Sequence, residues 1–445
     1  MKFVETLKNI WHIQELRSKL GYTLLFILIY RFGSFIVLPG INTAALGRLQ
    51  EQTAGGLMSL LDMFSGGAFS NASIFALGIM PYISASIVMQ LLAIAVPYFK
   101  KMQMEGESGR NKINSWTRYL TVLILLFQGP SYLVNLNMQM RYAGASIPDG
   151  FWFSASSTLI LCAGSMFVMW LGERMTDRGI GNGISMLIMI GIIARFPGAF
   201  IKEFASRLGD AGGGLIMLLA EVVVLLLVIA ASILLVQGTR KVPVQYAKRM
   251  IGNRQYGGVR QYIPLKVNAA GVMPIIFAQA IMMLPIMFAG FNPDKFNGGF
   301  MQAFMDNTGV WYNVVFALLI IVFTYFYTAI TINPTQMAES IQQNNGFIPG
   351  VKPGKQTAVY IDNIMSRITL PGSIFLAIVA IMPAFASLFG ITREFAQFYG
   401  GTSLLILVGV VLDTLQQVES HLLMHHYDGL MESGRIRGRS GLSAY

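Results

Sequence analysis

Long apolar runs separated by short polar connections dominate this chain. A helix needs about 20 mostly apolar residues to cross the ~30 Å hydrocarbon core of a bilayer, since backbone left unbonded in lipid costs several kcal/mol. Ten windows qualify, approximately Leu20 to Leu38, Ser73 to Val96, Ser115 to Leu136, Phe153 to Gly172, Ile184 to Ala199, Leu215 to Gln237, Asn268 to Phe288, Trp311 to Ile332, Ile368 to Phe389 and Thr402 to Val418. They predict an all-α polytopic membrane protein. The first run follows Lys2, Lys8, Arg17 and Lys19 as a signal-peptide core would, but nine further runs follow and no small-residue cleavage site is evident. It is expected to stay as a helix. Five spans followed by five, with the long connections of both sets on one side, is the layout of inverted repeats, which place a pathway between the halves. The expected units are an N-terminal half over residues 1–200, a C-terminal half over 201–420 and a tail over 421–445.

Basic residues orient the spans, because short loops rich in Lys and Arg stay on the cytoplasmic side. Of the 32 Lys and Arg, 24 fall in the N-terminus, residues 97–118, 173–183, 238–267, 333–367 and the tail, against seven in the alternate loops and Arg31 within span one. Both termini are therefore expected on the cytoplasmic side. Composition agrees with a membrane chain: 54% of the 445 residues are hydrophobic and 12% charged, against about 25% charged in soluble domains. The single cysteine, Cys162, lies in an apolar run and reads as a packing residue, so neither a disulfide framework nor a thiolate zinc cluster is expected.

Pumps and ion-coupled transporters bury carboxylates, His or Lys near the midplane. Here Arg31, Glu221, Asp413 and Glu419 are the charged residues read within or at the edges of spans, apart from Glu173 closing span four. A central path would therefore be lined by uncharged groups. In span two, Ile79 and Ile83 are four apart and share a helical face, while Ser84, Ser86 and Gln90 line others, and Pro81 is expected to kink the helix. Two isoleucines alone read equally as lipid contacts. Residues 55–67, GGLMSLLDMFSGG, are amphipathic, too short to span and bounded by glycine pairs. They form either a re-entrant element beside a cavity or a helix lying on the membrane surface.

Residues 238–267 carry Arg240, Lys241, Lys248, Arg249, Arg254, Arg260 and Lys266 with no acidic residue, interleaved with Tyr246, Tyr256 and Tyr262. Such a surface seeks anions: RNA phosphates, acidic protein patches or lipid headgroups. Gly346 to Thr357 superficially resembles a phosphate-binding loop, but three residues separate Gly350 from Gly354 where four are required, Gln356 replaces the hydroxyl, and no strand–helix context is expected. Gly179 to Gly183 reads as a turn. His421, His425 and His426 lack a firm metal set, and Ser185 has no histidine in any span to activate it. No cofactor and no catalytic residue are expected.

Several stretches carry a resemblance: Arg31 to Asn42 (RFGSFIVLPGIN), Met63 to Leu92 (MFSGGAFSNASIFALGIMPYISASIVMQLL), Glu105 to Lys112 (EGESGRNK), Met169 to Ser185 (MWLGERMTDRGIGNGIS), Tyr246 to Arg249 (YAKR), Pro264 to Val272 (PLKVNAAGV), Phe347 to Thr357 and Gly400 to Ile406 (GGTSLLI). In order along nearly the whole chain, they resemble the SecY family, the central subunits of the bacterial protein-conducting channel. The resemblance implies ten helices around an hourglass pore, with a lateral slit between spans two and three and spans seven and eight. It implies a waist of Ile79, Ile83, Ile188, Ile276 and Ile406, and a plug over about residues 55–69 that includes Leu57, Leu60, Leu61, Asp62, Phe64, Gly66 and Gly67, with Phe64 under the ring. Ser84, Gln90 and Gln279 are the candidate polar residues of the lateral gate, or equally routine interhelical bonds.

An aliphatic ring offers ions nothing to replace hydration, whereas an extended polypeptide can fill it. The implied activity is passage of unfolded preproteins, with lateral release of signal and membrane segments into the bilayer; a secondary transporter of small solutes is the alternative, and an intramembrane protease a more distant one. Implied partners are the small subunits SecE and SecG, the motor ATPase SecA and the ribosome with its RNA, docking through Lys248, Arg249, Arg254, Lys352 and Lys355. Lys352 stands where the family usually has arginine, and Asp62 where a plug residue is often neutral, which suggests a wetter plug.

Overall fold

The computed structural model describes residues 13–41, 62–142, 148, 150–209, 214–246, 249–251, 254–256, 260–279, 281–282 and 309–432. Among them, seven helices are long and apolar enough to cross a membrane, and they match the third to sixth and the eighth to tenth predicted windows, the ninth ending one residue early at Leu388. In chain order α1 is Gln14–Gly33, α2 Met80–Ala95, α3 Pro97–Met104, α4 Glu107–Tyr142, α5 Phe151–Arg178, α6 Gly183–Leu208 and α7 Gly214–Gln237. There follow β1 (Thr239–Tyr246), β2 (Arg249–Ile251), β3 (Arg254–Tyr256) and β4 (Arg260–Lys266), then α8 (Val310–Thr331), α9 (Pro334–Gln343), β5 (Gly346–Phe347), α10 (Lys355–Leu388), α11 (Arg393–Ala396) and α12 (Gly401–Glu432). The seventh window is partly described, with residues 273–279 and 281–282 helical. α7 is apolar nearly all round yet leaves Leu215, Ile216, Leu219, Leu227 and Leu234 exposed, the surface a lipid-facing helix presents.

The first two windows depart from simple spans. α1 ends at Gly33, short of the predicted Leu38, because residues 36–38 turn to extended backbone and bond to residues 72–74: Leu38 N–H donates to Ala72 O at 2.9 Å and Ile74 N–H to Ile36 O at 2.9 Å. In the second window, the helix starts only at Met80, so Pro81 sits in the first turn. A proline there has no amide to leave unsatisfied and a φ already suited to the helix, so it initiates α2; the expected kink is absent at Pro81. The bend comes instead at Val96, held extended ahead of Pro97 (φ −108°, ψ 118°).

The described residues form two compact units: residues 13–41, 62–194 and 410–432 in one, and 195–282 and 309–409 in the other, where described. In the first, α2 and α5 pack against α4, and α1 against α5. A stack of Tyr30, Phe75 and Phe167, with ring centroids 6.2 and 5.9 Å apart, runs through it. In the second, α8 and α9 pack on α10. Beside them stands a three-stranded antiparallel sheet of order β4-β1-β5, with Thr239 paired to Lys266 and Tyr246 to Gly346. Val242, Val244 and Leu265 of that sheet bury against Ile341, Ile348, Ile361 and Met365.

Candidate functional site

Within the first unit, residues 62–79 form a buried run of turns after one short helical turn at Asp62–Phe64. Gly66 (φ +65°) and Gly67 (φ +92°) occupy left-handed backbone that side chains rarely adopt. Gly66 also meets Gly191 of α6 backbone to backbone; a Cβ on Gly66 would fall 2.8 Å from the Gly191 Cα. Turns leave carbonyls that no helix satisfies, and a buried orphan carbonyl is costly. Three side chains supply the donors. Arg31 Nη1 donates to Gly66 O at 2.6 Å, Tyr30 Oη to Ser65 O at 3.2 Å, and Tyr132 Oη to Phe69 O at 2.9 Å.

Asp62 and Phe64 are buried at 1% and 4% exposure. Asp62 Oδ1 accepts from Ser70 N–H at 2.7 Å. The carboxylate thus caps the turn internally, buried and bonded rather than in the wetter surroundings expected of it. Leu57, Leu60 and Leu61 lie outside the described residues. Ile79 is the N-cap of α2 and its carbonyl accepts from Ile83 N–H at 3.1 Å, so the two keep the expected one-turn spacing at the very start of the helix. Ile79 is buried and Ile83 half-buried; Ile188 is buried on α6, three residues before the Gly191 that seats Gly66. Ser84 and Gln90 are half-buried, and Gln90 Nε2 donates within α2 to Ser86 Oγ at 3.4 Å.

In the second unit, Ile276 is half-buried in the helical residues 273–279 and Ile406 is buried on α12. Phe277 packs against Phe323 and Tyr327 of α8, at 5.7 and 5.9 Å between centroids. Gln279 is buried, and its Nε2 has no hydrogen-bond partner among the described residues.

The basic connections carry strands. β1 alternates Val242 and Val244 inward, with Arg240 and Lys241 exposed ahead of them. Arg249 and Arg254 sit on the small antiparallel pair β2–β3, and Lys248 lies outside the described residues. Lys352 and Lys355 are exposed, Lys352 O accepting from Thr357 Oγ1 at 3.0 Å and Lys355 opening α10. A short strand, β5, does precede this loop and a helix follows it, contrary to the expectation, while the glycine spacing and Gln356 still break the phosphate-loop pattern.

Sequence reasoning flagged Arg31 as an intramembrane charge but gave it no partner, and overlooked Tyr30 and Tyr132. It also treated Lys202 and Arg207 as loop residues, whereas α6 runs on to Leu208. There Glu203, Arg207 and Glu221 of α7 form a buried ionic cluster, and Lys202 pairs with Glu394 at 2.7 Å. The EFASR stretch, with Glu and Arg four apart, carried that signal. Next to the cluster, outside the spans, burial pushes the Tyr399 phenol above its ordinary pKa, and the nearby Glu221 and Glu203 push it further while Arg207 opposes them.

A polytopic helical chain with a buried non-helical turn run and a basic sheet joining two connections is a multi-pass membrane protein. Residues 73–415 match the SecY family. Over 444 residues the chain is 40% identical to the protein translocase subunit SecY of Thermotoga maritima, covering 98% of this chain and 99% of that one. It is 44% identical over 437 residues to the same subunit of Halalkalibacterium halodurans, covering 96% and 99%. Among solved structures, one concerns the plug domain of the SecY protein, which stabilises the closed state of the translocation channel and maintains a membrane seal; it superposes with a TM-score of 0.62 at 17% identity, covering 91% of this chain and 92% of that one. The chain belongs to the SecY family. It is a multi-pass bacterial membrane protein whose mostly helical fold is that of SecY channels. The comparisons give no support to a small-solute transporter.

Proposed function

We propose that the chain passes unfolded preproteins through a ring of Ile79, Ile83, Ile188, Ile276 and Ile406 and releases signal and membrane segments sideways past Ser84, Gln90 and Gln279. The carrying observation is the turn run at residues 62–79, buried in the first unit and bound there by Tyr30, Arg31 and Tyr132. Its residues 62–69 fall in the plug of about residues 55–69, and side-chain bonds to their carbonyls are easier to exchange than a continuous helical ladder. The five isoleucines offer no oxygen or charge to replace an ion's hydration, so a narrow ring of them opposes ion flow by dewetting yet yields to a polypeptide that fills it. A hydrophobic signal segment gains roughly 0.3–0.6 kcal/mol per Leu, Ile, Phe or Val on partitioning, so ten such residues supply about 5 kcal/mol toward parting the slit.

Both termini and the basic sheet face the cytoplasm in this reading. Arg249, Arg254, Lys352 and Lys355, with Lys248, then meet the ribosome, including its RNA, and the motor SecA, while SecE and SecG complete the complex in the lipid bilayer. The N-terminal half over residues 1–200, the C-terminal half over 201–420 and the tail over 421–445 are the working parts. Replacing Ile83 and Ile276 together with glycine tests the ring: ion leak through the reconstituted complex rises and defective signal sequences are accepted more readily. Unchanged conductance in planar bilayers refutes it.

A further inference from the structure

The buried ionic cluster of the second unit has no part in the ring, the plug or the docking sheet. Glu203 and Arg207 sit one turn apart near the end of α6, with Arg207 Nε donating to Glu203 Oε1 at 2.9 Å. Glu203, at 0% exposure, directs its other oxygen away from its own helix. That oxygen accepts both the Thr392 N–H, at 2.8 Å, and the Thr392 hydroxyl. Arg207 Nη2 donates to Gly390 O at 3.1 Å and pairs with Glu221 of α7.

Two charged groups on α6 thus hold the backbone of residues 390–392, which connect α10 to α12. Behind these bonds lies an aromatic layer in which Phe395 meets Phe200 and Tyr399 at 6.0 and 5.6 Å, and Phe398 meets Phe196 at 5.1 Å. The segment then enters α12 at Gly401, five residues before Ile406. Gly400 leaves no slack, because a Cβ there would fall 2.2 Å from Val379 O.

We propose that Glu203 and Arg207 are positioning residues for translocation: a buried ionic latch that fixes the 390–399 connection and, through it, the start of α12 and the placement of Ile406. The role of Ile406 rests on the ring reading above. Charge-assisted bonds suit this task, being short, directional and roughly twice as strong as neutral ones. A hydrophobic contact alone would hold the connection without fixing its register.

The test measures hydrogen exchange across residues 390–400, and acceptance of a preprotein with a defective signal sequence, in the reconstituted membrane complex. Glu203→Gln and Arg207→Gln each raise exchange in that segment by about tenfold and raise acceptance severalfold, and Arg207→Lys restores part of both. Thr392→Val removes one donor while leaving both charges in place, so it reports on the latch even where the charge variants do not assemble; it raises exchange by a smaller factor. Its effect combined with Glu203→Gln is less than additive, because both remove the same contact. Unchanged exchange in all variants overturns the latch. Raised exchange with unchanged acceptance overturns the positioning role. If the Ile83 and Ile276 glycine variants leave ion leak unchanged while acceptance still follows exchange in the latch variants, the ring assignment fails and the latch stands.

Discussion

Replacing Arg31 probes whether side-chain bonds to the turn run keep the channel shut. The guanidinium donates to Gly66 O at 2.6 Å and lies over the Phe35 ring at 5.0 Å from its centroid. A hydrogen bond to a charged group contributes about 1.5–3 kcal/mol. Losing it from the seated conformation alone shifts the ratio of seated to displaced turn run by roughly 10- to 100-fold. Tyr132→Phe deletes the neutral donor to Phe69 O, worth about 1 kcal/mol or roughly fivefold. The expected order of resting leak in planar bilayers is therefore Arg31→Ala, then Tyr132→Phe, then the parent, with Arg31→Lys between alanine and the parent because it keeps a cationic donor. The double variant Arg31→Ala with Tyr132→Phe should be leakier than either single one. Parental conductance in Arg31→Ala and Tyr132→Phe alike refutes the idea that these bonds hold the run in place.

Gly66→Ala should loosen the same seat, since its Cβ would meet the Gly191 Cα at 2.8 Å and its φ of +65° disfavours a side chain; raised protease sensitivity near residue 66 in the folded complex checks this. Reversing Arg249 and Lys352 to glutamate should impair ribosome or motor coupling while the chain still inserts and assembles, and normal secretion by the double variant contradicts the docking assignment. Tyr399 supplies a pH test with a definite sign: its pKa is raised in the fold, so the folded state holds the proton more tightly and stability falls as pH climbs above the unfolded phenol's pKa of about 10. Thermal unfolding between pH 9 and 11 should show a smaller loss in Tyr399→Phe than in the parent; equal losses exclude the phenol as a source.

Hydropathy located most spans because it measures transfer into lipid, and transfer is what α4 to α8, α10 and α12 satisfy with long apolar runs. It could not see where α2 begins. Residues 73–79 are as apolar as a helix, and only the left-handed backbone at Ala72 and Gly78 shows that they turn. Asp62 misled for a related reason: a carboxylate in an apolar stretch reads as a place for water, yet an amide eight residues away satisfies it. Arg207 was counted as a loop charge because positive-inside counting assigns basic residues to connections, whereas here Glu203 and Glu221 keep the arginine inside. The strands hid behind charge. The alternation of Val242 and Val244 spans too few positions to stand out among Arg240, Lys241 and Lys266.

β1 bonds to β4 on one edge and to β5 on the other, so stretches about a hundred residues apart in the chain share one stiff handle. β1 leaves α7 after a single residue, and β5 stands a short loop ahead of α10. A displacement of β1 is therefore felt at the roots of two membrane helices together.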